Sequence, residues 1–95
     1  MNNIIESTIV QQQQEQELAD LIVAALNLEI QAGDIDPEAP LYREGLGLDS
    51  IDILEIALAV SKKYGFQLRS DDSDNVKTFS SLRNLNEHVQ QNRTR

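Results

Sequence analysis

The chain has no cysteine and no tryptophan, and only four aromatic residues among its 95: Tyr42, Tyr64, Phe66 and Phe79. Without cysteine there is no disulfide framework, no thiolate nucleophile and no zinc site of the cysteine type. With so few aromatics the core must be built from Leu, Ile, Val and Ala, which suits packed helices better than a β-sandwich. Basic residues are scarce as well. Eight Lys and Arg stand against sixteen Asp and Glu, for a net charge of −8. Phosphate backbones are bound by clustered Lys and Arg, so nucleic acid is excluded as a partner, and a basic docking surface on a protein partner is favoured. No apolar run reaches the length of a membrane helix, and the N-terminus lacks a basic-then-apolar leader, so the cytoplasm is the expected location. A chain of this length is expected to form a single domain.

What is present has a helical rhythm. Residues 1–10 read as a tail or a frayed helix start. The run "QQQQEQE" (Gln11 to Glu17) reads as a solvated helical turn. From Leu18 the positions Leu18, Leu21, Ile22, Ala25 and Leu28 or Glu29 recur at steps of three and four, as one face of a helix requires. Gln31 to Gly47 holds both prolines and three of the four glycines, so it is a long loop, with Ile35, Leu41, Tyr42, Leu46 and Leu48 as candidate anchors and "LYREGLG" as a short helical turn. Asp49 then reads as a helix N-cap, with Asp52 at the third helical position, and Gly65 as the residue just past the helix end. Between them Ile53, Leu54, Ile56, Ala57, Val60 and Tyr64 form a wide apolar face, with Ile51 and Leu58 at its rim and Asp52, Glu55, Lys62 and Lys63 in a polar wedge. Thr78 reads as the cap of a last helix whose Phe79, Leu82, Leu85 and Val89 face the core. The tail "QQNRTR" is expected to fray, leaving residues 11–90 as the bundle. The fold class is therefore all-α, a small four-helix bundle of three main helices and one short one, with a long loop between helices 1 and 2.

The residue types rule out most chemistry. The one histidine, His88, reads as a solvated surface residue. Gly47-Leu48-Asp49-Ser50-Ile51 lacks the second glycine of a nucleophile elbow. The carboxylates Asp49, Asp52 and Glu55 lie along one helix start as caps and surface, with no opposed acid/base pair. "SDDSDNV" (Ser70 to Val76) alternates oxygen ligands but has Val76 where a calcium loop needs glycine and Leu82 where it needs the closing Glu. No catalytic or metal-binding residue is assigned, and the chain reads as a non-enzyme. Ser50 is then a serine acted upon. Attached phosphate there would sit beside free backbone N–H groups at the positive end of a helix dipole.

"GLGLDSIDILEIALAV" (Gly45 to Val60), with the Asp49-Ser50-Ile51 triplet opening the second helix, resembles the modification site of acyl carrier proteins. The resemblance extends to the loop "IDPEAPL", to "KKYGFQL" after the second helix and to Thr78. It implies that Ser50 carries 4′-phosphopantetheine, whose thiol tethers acyl groups as thioesters and supplies the thiol that the chain lacks. It implies that Asp49 positions the modification and that a phosphopantetheinyl transferase performs it. Ile51, Asp52, Glu55 and Leu58 match the family's partner-recognition face, toward ketosynthase, ketoreductase, dehydratase and acyl-loading or acyltransferase enzymes. A monomer is implied. Ser61, Lys62 and Lys63 stand where carriers of general fatty acid synthesis keep acids. In this the chain is more similar to stand-alone carriers of specialised pathways, such as those for aryl polyene or other polyketide-type products. A peptidyl carrier, a D-alanyl carrier and an unmodified helical interaction module remain as alternatives, with Asp49 favouring the acyl class.

A small aliphatic core under an excess of acids is destabilised by self-repulsion that salt screens. Added salt should raise the thermal midpoint in scanning calorimetry. A midpoint that stays flat or falls would remove charge repulsion as a determinant of stability.

Overall fold

A computed structural model describes residues 3–41, 47–68 and 75–95. Its elements are α1 (Asn3–Leu26), a 3-10 turn (Ala32–Asp34), α2 (Ser50–Tyr64), the short α3 (Asn75–Thr78) and α4 (Leu82–Asn92). Among the described residues, three main helices, one short helix and a long α1–α2 connection make the all-α bundle that the hydrophobic periods predict. The proposed turn in "LYREGLG" falls mostly on 42–46, and most of the "SDDSDNV" loop on 69–74. Both lie outside the described residues, as do the anchors Tyr42 and Leu46.

α1 is longer than its apolar stripe demands. It begins at Asn3 and takes in the glutamine run and most of the segment expected as a tail or a frayed helix start. Gln and Glu are good helix formers, and amide–carboxylate pairs four residues apart, Gln11 to Glu15 (3.0 Å) and Gln16 to Asp20 (3.4 Å), support the run. Leu18, Ala19 and Ile22 are buried against the bundle. The helix ends at Asn27, whose φ of 53° turns the chain left-handed. The N–H groups of Asn27 and Leu28 return to the carbonyls of Ala24 and Val23, a double bond pattern that closes helix ends where glycine or asparagine stands. The loop that follows is pinned by burial of Ala32, Ile35, Leu41 and Leu48, and Leu48 N–H donates to the carbonyl of Leu41 (3.3 Å).

α4 buries Leu82, Leu85 and Val89 as its spacing predicts, and Phe79 ahead of it is fully buried. Its cap is Ser81, not Thr78. Ser81 Oγ accepts from Asn84 N–H (3.1 Å), while Thr78 closes α3. Both residues carry the capping hydroxyl. The turn between them, in which Ser80 N–H bonds Lys77 O, delays the helix by three residues. His88 is half-buried, its ring 5.9 Å from that of Phe66, where an exposed residue was expected. The final residues are docked rather than frayed. Thr94 and Arg95 N–H groups donate to Tyr64 O at 2.9 and 3.2 Å, and the Arg93 guanidinium lies 4.8 Å from the Tyr64 ring centre.

Polar contacts also tie the helices to one another. Glu15 on α1 is only 3% exposed, and its carboxylate accepts from Arg83 Nε of α4 (3.1 Å). Arg83 Nη1 reaches Glu38 in the loop (2.7 Å), and its backbone N–H reaches Pro37 O (2.9 Å). At the other end Tyr64 Oη donates to Glu17 Oε1 (3.0 Å), joining α2 to α1. Burial, then the hydrogen bond and charge of Glu17, push the Tyr64 phenol above its ordinary value, with Arg93 pulling the other way. The raised value means that the folded state holds this proton more tightly, so the stability it confers is complete below about pH 10 and declines above it. Tyr64→Phe should lower stability by about 1 kcal/mol at neutral pH and flatten the loss of stability at alkaline pH. Urea unfolding across pH checks both; an unchanged alkaline slope would assign that loss to other groups.

Candidate functional site

The candidate site is the first turn and outward face of α2. The turn is closed by a reciprocal cap: Asp52 N–H donates to Asp49 Oδ1 (2.9 Å) and Asp49 N–H to Asp52 Oδ2 (3.2 Å). This is the capping box, here with aspartate at both positions, and both carboxylates also lie at the positive end of the helix dipole. Asp49 has extended backbone, so Ser50 becomes the first helical residue, and it is exposed. At the far end Gly65 adopts φ 72°, ψ 30°, and a Cβ there would collide with Thr94 Oγ1. Glycine is needed both for the left-handed turn and for the approach of the C-terminal residues. Ser61 completes this end: its Oγ donates to Ala57 O (2.7 Å) and accepts from Leu68 N–H (2.9 Å), holding the outgoing chain against the helix.

Between its ends α2 has two apolar sides. Ile53, Ile56, Ala57, Val60 and Tyr64 are buried. Ile51, Leu54 and Leu58 are 66%, 45% and 56% exposed. The spacing i, i+3, i+7 makes them a continuous outward stripe. Leu54 was expected on the core-facing side. The helical arc that contains it is wider than the surface α1 can cover, so Leu54 falls on the solvent side with Ile51 and Leu58. Its spacing from Ile51 and Leu58 is visible in the sequence, but the width of the apolar arc hid which side of the helix it would take. Glu55 is exposed beside the stripe, and Asp52 is half-buried with its carboxylate turned to the cap. The structure thus brings Ser50, Asp49, Ile51, Asp52, Glu55 and Leu58 together on one helix.

A family model for the phosphopantetheine attachment site matches residues 16–88. Curated relatives are acyl carrier proteins. One from Helicobacter pylori (strain G27) is 30% identical over 54 residues, covering 57% of this chain and 68% of the relative. One from Nitratidesulfovibrio vulgaris is 29% identical over 62 residues, covering 65% and 78%. One from Helicobacter hepaticus is 25% identical over 60 residues, covering 63% and 78%. The chain belongs to the acyl carrier protein family. It is therefore a phosphopantetheine carrier of a non-catalytic family. Among the described residues no helix is long and apolar enough to cross a membrane, and no cluster of metal-ligating side chains occurs.

The first turn of this carrier's α2 fits a phosphate-linked group. The helix is fifteen residues long, and the N–H groups of Ser50 and Ile51 have no partner among the described residues. The flanking carboxylates are already engaged in the cap. Asp49→Ala should cost about 1 kcal/mol and lower the thermal midpoint by about 4–8 °C, while Asp49→Asn, which keeps an acceptor oxygen, should retain most of that stability. Equal losses in both variants would show that charge, not the cap bond, supplies the effect.

Proposed function

We propose that Ser50 is the attachment residue for 4′-phosphopantetheine and that the outward face of α2 docks the enzymes that load, modify and unload the acyl group. The observation that carries this reading is the exposed Ser50 at the head of a doubly capped helix, with the stripe Ile51, Leu54 and Leu58 running away from it. When attached, the group supplies a thiol that holds acyl chains as thioesters. The chain's own residues do the rest. Asp49 and Asp52 fix the first turn, so that the Ser50 hydroxyl is presented at a constant place. The stripe supplies apolar contact beside it. Asp52 and Glu55 add acids that steer cationic partner surfaces, an effect on encounter rate and orientation more than on affinity.

In this reading the chain is a substrate of a phosphopantetheinyl transferase, and its further partners are ketosynthase, ketoreductase, dehydratase and acyltransferase-type enzymes. Lys62 and Lys63 at the end of α2 support a specialised pathway of the aryl polyene or polyketide type over general fatty acid synthesis.

The test is intact mass after incubation with coenzyme A, magnesium and a broad-specificity transferase. Wild type should gain one phosphopantetheinyl unit and Ser50→Ala none. A gain on both would move the attachment residue. No gain on either, repeated with the transferase of the source organism, would leave an unmodified interaction module.

A further inference from the structure

The docking face does not end at Leu58. Ile51, Glu55, Leu58 and Lys62 follow one another at i, i+4, i+7 and i+11, so Lys62 stands on the same side of α2 as the stripe, and it is exposed. No acid occupies the positions three or four residues before or after Lys62 (Leu58, Ala59, Gly65 and Phe66), so nothing on its own helix pairs with it. Its neighbour Lys63 is drawn instead to Glu17 on α1 (3.9 Å). A second cation is delivered beside Lys62 by the docked C-terminal residues: Arg95 Nη1 donates to Lys62 O (3.1 Å). Arg93 does not join this pair. It covers the Tyr64 ring and donates from Nε to Arg95 O (2.6 Å).

One face of α2 therefore carries acid at its start and cation at its end. Glu55 and Lys62 are seven residues apart, about 10 Å along the helix. That exceeds the screening length of about 8 Å at physiological salt, so a partner meets two separate charges rather than a cancelled pair.

Building on the docking reading above, we propose that this face selects partner enzymes with a two-signed surface: basic opposite Asp52 and Glu55, and acidic opposite Lys62 and Arg95. A partner that is basic throughout gains at the first end of the helix and is repelled at the second. Specificity then comes from the repulsive contact as much as from the attractive one.

The test uses the full chain and a broad-specificity phosphopantetheinyl transferase whose docking surface is basic, with kcat/KM for modification of Ser50 measured at low and high salt. Lys62→Glu should raise kcat/KM about threefold or more at low salt, and the gain should vanish at high salt. Lys62→Gln should show a smaller gain without placing an acid in the last helical turn. Glu55→Lys should lower kcat/KM. Replacing the transferase's basic residue nearest position 62 by Glu should reverse the preference in favour of the wild-type carrier. No response to either Lys62 variant, with Glu55→Lys still impaired, would overturn the two-signed face and leave the carrier reading intact. No response to any α2 charge variant would overturn the docking face itself. No modification of Ser50 in any of them would overturn the carrier reading.

Discussion

Arg83 holds the bundle's connections in place. A core of leucine, isoleucine and valine is attracted without direction, and such side chains pack nearly as well in several helix registers. Arg83 removes that freedom. From α4 its guanidinium reaches Glu15, almost fully buried on α1, and Glu38 in the loop, while its backbone N–H bonds Pro37. Three segments distant in sequence are thereby fixed at one point. A buried carboxylate without its cation is strongly destabilising, so arrangements that separate α1 from α4 are penalised far more than those that merely loosen the core. The loop so held delivers the chain to the start of α2.

α2 is the element that this frame presents. It is closed at its head by the Asp49–Asp52 box and at its foot by Gly65, Ser61 and the docked residues 94 and 95. A helix fixed at both ends keeps its outward side constant, as the proposed docking of successive partners on that side requires. The cap does more than add stability. It engages the two carboxylates nearest Ser50 in backbone bonds and defines Ser50 as the first helical residue.

What the sequence made legible was local. Asp49 with Asp52 three positions on, Gly65 after a lysine pair, and Leu82, Leu85 and Val89 at helical steps each declare their role within a few residues. What it concealed depended on neighbours distant in the chain. Ser81 and Thr78 are equivalent as caps until the turn at Ser80 is known. Leu54 is as apolar as Ile53, and only the width of α1 leaves it outside. Glu15 sits in a run of glutamines that reads as solvated, and nothing local marks it as the buried partner of Arg83. The C-terminal residues look like a fraying tail because the carbonyls they reach belong to α2. For the candidate site, Ser50, its flanking acids, Ile51 and Leu58 were singled out from one short segment, whereas the place of Leu54 in the exposed stripe needed the packing of the opposite side to be known.

The size of that stripe bears on how a carrier works. Fully burying an aliphatic side chain contributes about 1.5–3 kcal/mol, and Ile51, Leu54 and Leu58 are 66%, 45% and 56% exposed, so covering all three yields about 2.5–5 kcal/mol. Association itself costs at least about 4 kcal/mol in lost freedom of motion. On the docking reading proposed above, the apolar stripe alone therefore gives weak contact at most, and charges at the edge of the face add little to affinity while they change encounter rates. Weak contact is what repeated hand-over requires, because a carrier that must leave each enzyme depends on fast dissociation. With affinity kept low, selection among partners has to come from which encounters are steered and which are repelled. That places the burden on charge, and on a helix whose two ends differ in sign the order of the charges becomes the distinguishing feature.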